Sequence, residues 1–479
     1  MTLLPLAILL LLRIQFVCSL LPGLNGDSIT TLDVSDSPSS NNTRTLWDII
    51  WSCAATLFAC TWTAIHPNIP GMDEGKFTVL SRRLGMMMMA LIAPELLITW
   101  ATCQFLSACD AAKAFNDTFD AQLHQTRDDC PGTGESTATL LNEIPISDGR
   151  NSPHPSASQV AVCNFREWTI TQGFFAWMGG FMLYYNGKPR VTLTPKELER
   201  FVHESSVEVP IIVDADIEDR SKGDALSKGI AVLQLAWFVL QLVARYVQNL
   251  PITLLEVDTL ALAALTSIAY GFWWKKPKDV RRPHAVYWKA TAPPPSNLAY
   301  GTVNAEFFAK NPGVLPLSYI YAILSLAALG PFNSPHAVHS RRVPSVGGYD
   351  QDSVSRRPII VLLIGCFSAA VFGGIHCLGW NYLFRWHAEQ ILWRTASLAI
   401  VLASVSNFLL FGSILMTSGL NGLKETFKVS KRFIAFEFAT SCIYSVARLT
   451  LAVLMLMSFR SLPPGTYDTV AWTRFIPHL

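Results

Sequence analysis

Two ionisable residues sit where ionisable residues are costly. Leu84 to Leu106 reads LGMMMMALIAPELLITWATCQFL, 23 residues that are apolar apart from a few polar side chains and one charge, Glu95, near the midpoint. A hydrocarbon core about 30 Å thick is crossed by a helix of ~20 apolar residues. A carboxylate at that depth costs at least ~2.5 kcal/mol unless another group answers it. Arg448 lies slightly past the middle of a second apolar stretch, Phe433 to Met457. A carboxylate and a guanidinium that meet, with further hydrogen bonds, are tolerated where either alone is not. The sequence therefore predicts a Glu95–Arg448 pair, either a clasp between helices or part of a transport or proton-relay path.

A second set, Arg245, Glu256, Asp258, His376, His387, Glu389 and Arg394, falls near the ends of apolar stretches that point to one face. Such side chains can reach water, and a layer of mixed sign could also line a lumen-facing cavity for a polar solute or headgroup. His376, His387 and His478 share that face. The first two are eleven residues apart, and no HxxxH or HExxH occurs, so no metal site is predicted. Neither GxxxxGK[ST] nor GxSxG nor a dinucleotide fingerprint is present, which leaves no catalytic residue and no cofactor to assign.

The elements that must position these residues follow from composition. The chain has 479 residues, is 51% hydrophobic and only 15% charged, and carries a net charge of +2. Soluble domains are nearer a quarter charged, so the expected fold is all-α, a polytopic helical membrane bundle. The small net charge, with no basic stripe among aromatics, argues against nucleic acid. Met1 to Ser19 reads as a signal peptide, with Val17-Cys18-Ser19 at the cleavage site, or as an uncleaved anchor. Residues 20–45 would then be a lumenal or extracellular polar segment. Eight spans are expected: Leu46–Ile65, Leu84–Leu106, Trp168–Tyr185, Gly229–Val247, Pro251–Trp274, Pro358–Trp380, Ile391–Met416 and Phe433–Met457. The first five fall within 46–274 and the last three within 358–457.

Orientation rests on basic residues. Trp273-Trp274-Lys275-Lys276-Pro277-Lys278, then Arg281 and Arg282, marks a cytoplasmic end. The same residues, Lys275, Lys276, Lys278, Arg281 and Arg282, are candidates for anionic lipid. The loop 186–228 and the proline-rich 275–357 are then cytoplasmic, with 315–329 interfacial or re-entrant. Within 186–228, Thr194-Pro195-Lys196-Glu197 is a capping box that predicts a short helix through His203. The loop 107–166 and the tail 458–479 fall on the lumenal side. That places sequons at Asn41 and Asn116, and candidate disulfides among Cys103, Cys109, Cys130 and Cys163. Stripes of small residues, Gly365, Ala369, Gly373 and Ala399, Ala403, Asn407, invite close helix contact.

Five stretches carry a resemblance: Trp47 to Pro67, Ile217 to Leu226 (IEDRSKGDAL), Ile375 to Trp380 (IHCLGW), His387 to Arg394 (HAEQILWR) and Arg460 to Leu479. Together they resemble a family of fungal multi-pass membrane proteins with no assigned activity. The resemblance implies an integral membrane protein of the secretory pathway or plasma membrane, with the lipid bilayer as its partner. It supplies no substrate, cofactor or catalytic residue. The functional expectations are a transporter or channel-like protein with a polar intramembrane site, a non-catalytic receptor or scaffold, and, more remotely, a lipid-acting membrane enzyme.

Overall fold

The structure is a computed structural model that describes residues 43–128, 167–221, 224–302, 335–351, 357–418 and 431–470. The signal-peptide segment, Asn41, Cys130, Cys163, residues 315–329 and His478 lie outside the described residues.

The described chain is mostly helical, and its centre is a bundle. Five helices are long and apolar enough to cross a membrane, and they take the labels α7, α8, α10, α11 and α12. They are α7 (Asp224–Val247), α8 (Leu254–Phe272), α10 (Pro358–His376), α11 (His387–Ser418) and α12 (Lys431–Ser458). α1 (Leu46–Ala64), at the expected first span, is not among these five; it packs against α7 and α8 and is opened by a capping box in which Thr45 and Asp48 bond each other's backbone N–H. The same device, Thr253 with Glu256, opens α8. α10 packs along α11 and α11 along α12, while α8 lies against α1 and α10. The small-residue stripes sit at these seams. Gly373 faces Ile400 and Val401 so closely that a Cβ would come within 2.7 Å of Ile400, and Asn407 donates to Thr440 Oγ1 at 3.1 Å. Leu233, Leu402 and Leu449 face outward, exposed, so the bundle is apolar on both its inner and its outer faces.

Two expected spans take other forms. Leu84–Leu106 is not one helix: α2 (Lys76–Ile92) and α3 (Pro94–Asp128) meet at a bend of 114°. Pro94 has no N–H to give and its ring clashes with the carbonyl four residues back in a continuous helix, so α2 ends at Ile92, with Ala93 as its C-cap, and α3 starts afresh. Both arms finish at one end of the bundle. Arg83 of α2 pairs with Asp279 at 2.8 Å, and Gln104 of α3 meets Lys276 at 2.8 Å. The pair is a hairpin, with Glu95 at its tip.

Trp168–Tyr185, the other, contains the eight-residue α4 (Ile170–Trp177) and then β1 (Phe181–Tyr185). Eight helical residues reach about 12 Å, too short to cross a bilayer. Thr169 and Gln172 cap α4 at its start. Gly179, at φ +96°, then turns the chain into the strand. Asn186 and Gly187, both at positive φ, make the tight hairpin to β2 (Lys188–Thr192). β3 (His284–Tyr287) joins the far edge of β1 in parallel, giving the order β2-β1-β3. The all-α expectation is corrected to this extent.

Around the sheet lie α5 (Pro195–His203), α6 (Asp214–Arg220) and α9 (Pro335–His339). α5 starts at the Thr194 capping box and ends at His203. These elements form a cap with a core of its own, including Phe115, Trp168, Phe175, Phe181, Phe201 and Val343. Phe115 of α3 stacks on Trp168 at 3.8 Å between ring centroids. The start of the loop 107–166 therefore sits at the same end as residues 275–282. The expected placement of these two segments on opposite faces is corrected, because the hairpin turns α3 back.

Close packing of α4 on α3 gives a direct test. A Cβ on Gly173 would come within 2.2 Å of the Ala108 carbonyl oxygen. Gly173→Ala is expected to destabilise the protein by about 1–3 kcal/mol, the usual range for overpacking, read as a lower thermal midpoint in detergent. An unchanged midpoint would mean that α4 does not dock on α3.

Candidate functional site

Glu95 is the second residue of α3, so its carboxylate stands at a helix N-terminus, where negative charge is favoured. Arg448 of α12 contacts it through Nη1. Tyr444, one turn earlier on α12, donates its hydroxyl to Glu95 Oε1 at 2.5 Å and accepts from Arg448 Nη1 at 3.1 Å. The guanidinium also lies over the Phe372 ring, 4.1 Å from its centroid. Glu95, Tyr444 and Arg448 thus form a closed triangle in which each polar group satisfies another, largely shielded from outside. Tyr444 was missing from the expected pair, although its spacing of four from Arg448 puts both on one helix face.

Removing one charge leaves the other buried and unanswered. Glu95→Ala and Arg448→Ala are each expected to cost about 3 kcal/mol, measured as chemical or thermal unfolding of the purified protein. The exchange Glu95→Arg with Arg448→Glu is expected to recover part of that loss. A double variant no better than either single one would refute the clasp.

The layer at the opposite end of the bundle divides into separate groups. Arg44 pairs with Glu256 at 2.6 Å. Arg245, buried, donates to the carbonyls of Pro251, Thr466 and Asp468 at 2.7, 3.1 and 2.6 Å. It thereby fastens the chain after α12 to the α7–α8 turn. His376 Nε2 meets Asp258 Oδ1 at 3.3 Å, while its Nδ1 bonds the Phe372 carbonyl. Arg394 donates to the Trp380 carbonyl at 3.0 Å and lies over that ring. His387 is exposed, and Glu389 accepts from the Trp386 N–H at 3.4 Å. These residues bond to their own neighbourhoods rather than to one common centre.

The most deeply buried polar node lies where the bundle meets the cap. Lys276 is 2% exposed. Its Nζ donates to the His66 carbonyl at 2.6 Å, Gln104 Oε1 at 2.8 Å and Asn68 Oδ1 at 3.2 Å. The rings of Trp100 and Trp273 flank it at 5.2 Å each. The Gly347 carbonyl accepts from Trp100, Gln104 and Asn68. Gly348, at φ +79°, lets that carbonyl approach, since a Cβ there would meet Asn68 and the Trp177 carbonyl at 2.9 Å. Beside the node His66 is fully buried, with Nδ1–H donating to the Ala64 carbonyl at 2.8 Å and Nε2 without a partner. Burial holds the His66 ring well below its usual range, and the charges of Lys278, Lys276 and Lys228 add to that. Burial likewise pushes Lys276 well below the usual lysine range.

The sign of the resulting pH dependence follows from linkage. Between the lowered folded-state value of Lys276 and its unfolded value near 10.5, the unfolded chain holds a proton that the folded one lacks. Its contribution to stability therefore rises with pH through that window and is lost as pH falls. Lys276→Met is expected to flatten this slope relative to the unaltered protein, followed by unfolding from pH 7 to pH 10. Parallel slopes in the two proteins would refute it.

Other expected sites are placed as follows. Lys275, Arg281 and Arg282 are exposed, whereas Lys276 and Lys278 are buried, so the five do not form one surface patch. Lys278 Nζ donates to the Thr63 carbonyl at 3.1 Å. Cys103 and Cys109 carry free thiols, and the described residues contain no disulfide. Asn116 engages the Trp168 backbone through both ends of its amide, at 2.7 and 3.1 Å. Among the described residues, no three His, Cys, Asp or Glu side chains gather as a metal site would require.

No curated protein and no solved structure matches this chain. All five stretches that carried the sequence resemblance fall within the reach of one family. The chain belongs to the family of unknown function DUF8562, which matches residues 25–293 and 347–479.

Proposed function

We propose that the protein is a multi-pass integral membrane protein of the secretory pathway or plasma membrane that works as a non-catalytic receptor or scaffold. Its cap is the cytoplasmic working end. The five apolar helices and α1, which lies against α7 and α8, cross the bilayer six times in this reading. The α2–α3 hairpin enters and leaves on the cap side. Loss of two expected spans keeps the parity, so the segments before α1 and after α12 stay together on the lumenal face, as the Arg44–Glu256 and Arg245–Asp468 contacts support. Exposed Lys275, Arg281 and Arg282 orient the cap to the cytoplasm. Cysteines of the 107–166 segment are then on the reducing side, where pairing is disfavoured.

The observation that carries the scaffold reading is the closed Glu95–Tyr444–Arg448 triangle. Its carboxylate is held by two donors from one helix. The cleft between α1, α7 and α8 and the groove at Lys196 and Arg200 lie elsewhere. One feature favours a transport or channel-like reading instead: Asp258 contributes to the field at Arg448 and itself meets His376. Polar groups thus lead from Glu95 towards the lumenal end.

Flux through proteoliposomes separates the two. Vesicles holding the protein are expected to pass protons and alkali cations no faster than empty vesicles, followed with pH- and potential-sensitive dyes. Glu95→Gln is expected to lower the thermal midpoint without changing that baseline. A flux that Glu95→Gln abolishes while the midpoint stands would overturn the scaffold in favour of transport.

A further inference from the structure

We propose that His376 and Asp258 together form a proton-binding site that ties α8 to α10 and makes the bundle sensitive to acidity at the end away from the cap. His376 closes α10, and Asp258 is the fifth residue of α8. Each nitrogen of the His376 ring faces an oxygen. Nδ1 is 2.8 Å from the Phe372 carbonyl, and Nε2 is 3.3 Å from Asp258 Oδ1. A carbonyl and an ionised carboxylate only accept, and a neutral imidazole has one N–H to give. The geometry therefore holds one proton more than a neutral ring beside a carboxylate would carry. His66 behaves differently. Its Nδ1 makes the same kind of bond, to the Ala64 carbonyl, but its Nε2 has no hydrogen-bond partner, so a neutral ring suffices.

The surroundings place that proton. Imidazole is a stronger base than a carboxylate, so the proton belongs on Nε2 and the pair is an imidazolium facing a carboxylate. The ring lies against those of Phe372 and Trp393, at 4.2 and 5.6 Å between centroids, and aromatic rings attract a cation. The neighbouring helices balance the charge. Asp258 comes from α8 and also enters the field at Arg448 of α12, which holds Glu95 of α3. α11 presents Trp393, while its Glu389 and Arg394 bond to the backbone at Trp386 and Trp380. Glu256 of α8 is taken by Arg44. Two carboxylates, Glu95 and Asp258, are thus matched by Arg448 and the protonated ring. Without the proton they would share one guanidinium, and the Nε2 lone pair would face Asp258. The His376 side chain is 1% exposed and that of Asp258 23%, so protons reach the ring by way of the carboxylate. They go no further inward, because Glu95 is already held by two donors. The site binds a proton without passing it on, in keeping with the scaffold reading, and its place on the lumenal face rests on that reading.

The test reads the ring itself. The full chain, labelled with nitrogen-15 histidine and reconstituted in liposomes, is followed by solid-state NMR from about pH 5 to about pH 9, the range in which histidines titrate. Paired labelling assigns His376 without a variant, since it is the one histidine followed by cysteine. Its ring is expected to carry two N–H groups at the acid end and one at the alkaline end, with His66 carrying one throughout. Asp258→Asn is expected to move the change to lower pH by about one unit or more, as loss of an opposite charge in contact does. Glu389→Gln, at the same end of the bundle, is expected to leave it in place. A His376 ring with one N–H at the acid end, or with two throughout, or whose change Asp258→Asn does not move, would overturn the site. Sealed liposomes with the pH stepped on one side score the membrane reading separately. His376 is expected to respond to the side away from the cap, and an equal response to either side would defeat that reading whatever the titration shows.

Discussion

A helix that stops inside an apolar bundle leaves polar ends behind, and the break at Ala93–Pro94 forces that problem on this fold. The last carbonyls of α2 and the first N–H groups of α3 lose their regular helical partners there, and only the Met89 and Ala93 carbonyls are met locally, by the Ala93 and Leu96 N–H groups, among the hydrogen bonds described. Glu95 answers the second set through the field of its own helix, then requires a cation of its own. Arg448 and Tyr444 come from α12, the last helix of the described chain, so the hairpin tip is completed by the most distant segment in sequence. The clasp is thus also a long-range constraint on topology. It fixes the depth of the hairpin and the rotation of α12 about its axis together.

The second constraint is the joint between bundle and cap. Lys276, Gln104, Asn68 and Gly347 come from four separate segments and leave little polar capacity unused at their contact. Apolar packing alone would allow the cap to slide, since it has no direction. Hydrogen bonds among buried groups do not, because any displacement strands a donor in low dielectric. The aromatic pair Trp100 and Trp273, edge to face at 4.8 Å, closes the joint from the bundle side. Arg82, Arg342 and Glu74 form a second buried tie nearby, in which Glu74 receives both guanidiniums at 2.6 and 2.9 Å.

Much of the bundle was legible because bilayer-length apolar runs leave few alternatives. α7, α8, α10, α11 and α12 all fall on expected spans. The two misread stretches failed for local reasons that the sequence also contained. The length of the Leu84–Leu106 run reads as one helix, although Pro94 with a carboxylate beside it equally marks a new helix start. At Trp168–Tyr185 the high apolar content hid the punctuation of Gly179-Gly180 and Asn186-Gly187, which specify a strand and a tight turn. The Glu95–Arg448 contact followed from depth alone, while the split of the charged layer around Arg245 and His376 did not. Residues near the same helix ends by sequence separate once the helices take their places around the bundle. Lys276 was legible only as one charge of a basic run, a mark of orientation or a contact for anionic lipid. Nothing in a run of five basic residues tells which one turns inward.

The parallel pairing of β1 with β3 carries a consequence for the order in which the molecule is made. Between these two strands the chain passes out along α7 and returns along α8. The central strand therefore waits, with one edge open, until that helical pair has been placed, and an open edge is a liability during synthesis. Closing so long a loop is slow compared with forming the β1–β2 hairpin. The finished sheet is accordingly a record that the α7–α8 excursion has been completed. A chain in which that pair failed to pack would leave the β1 edge open and free to pair elsewhere.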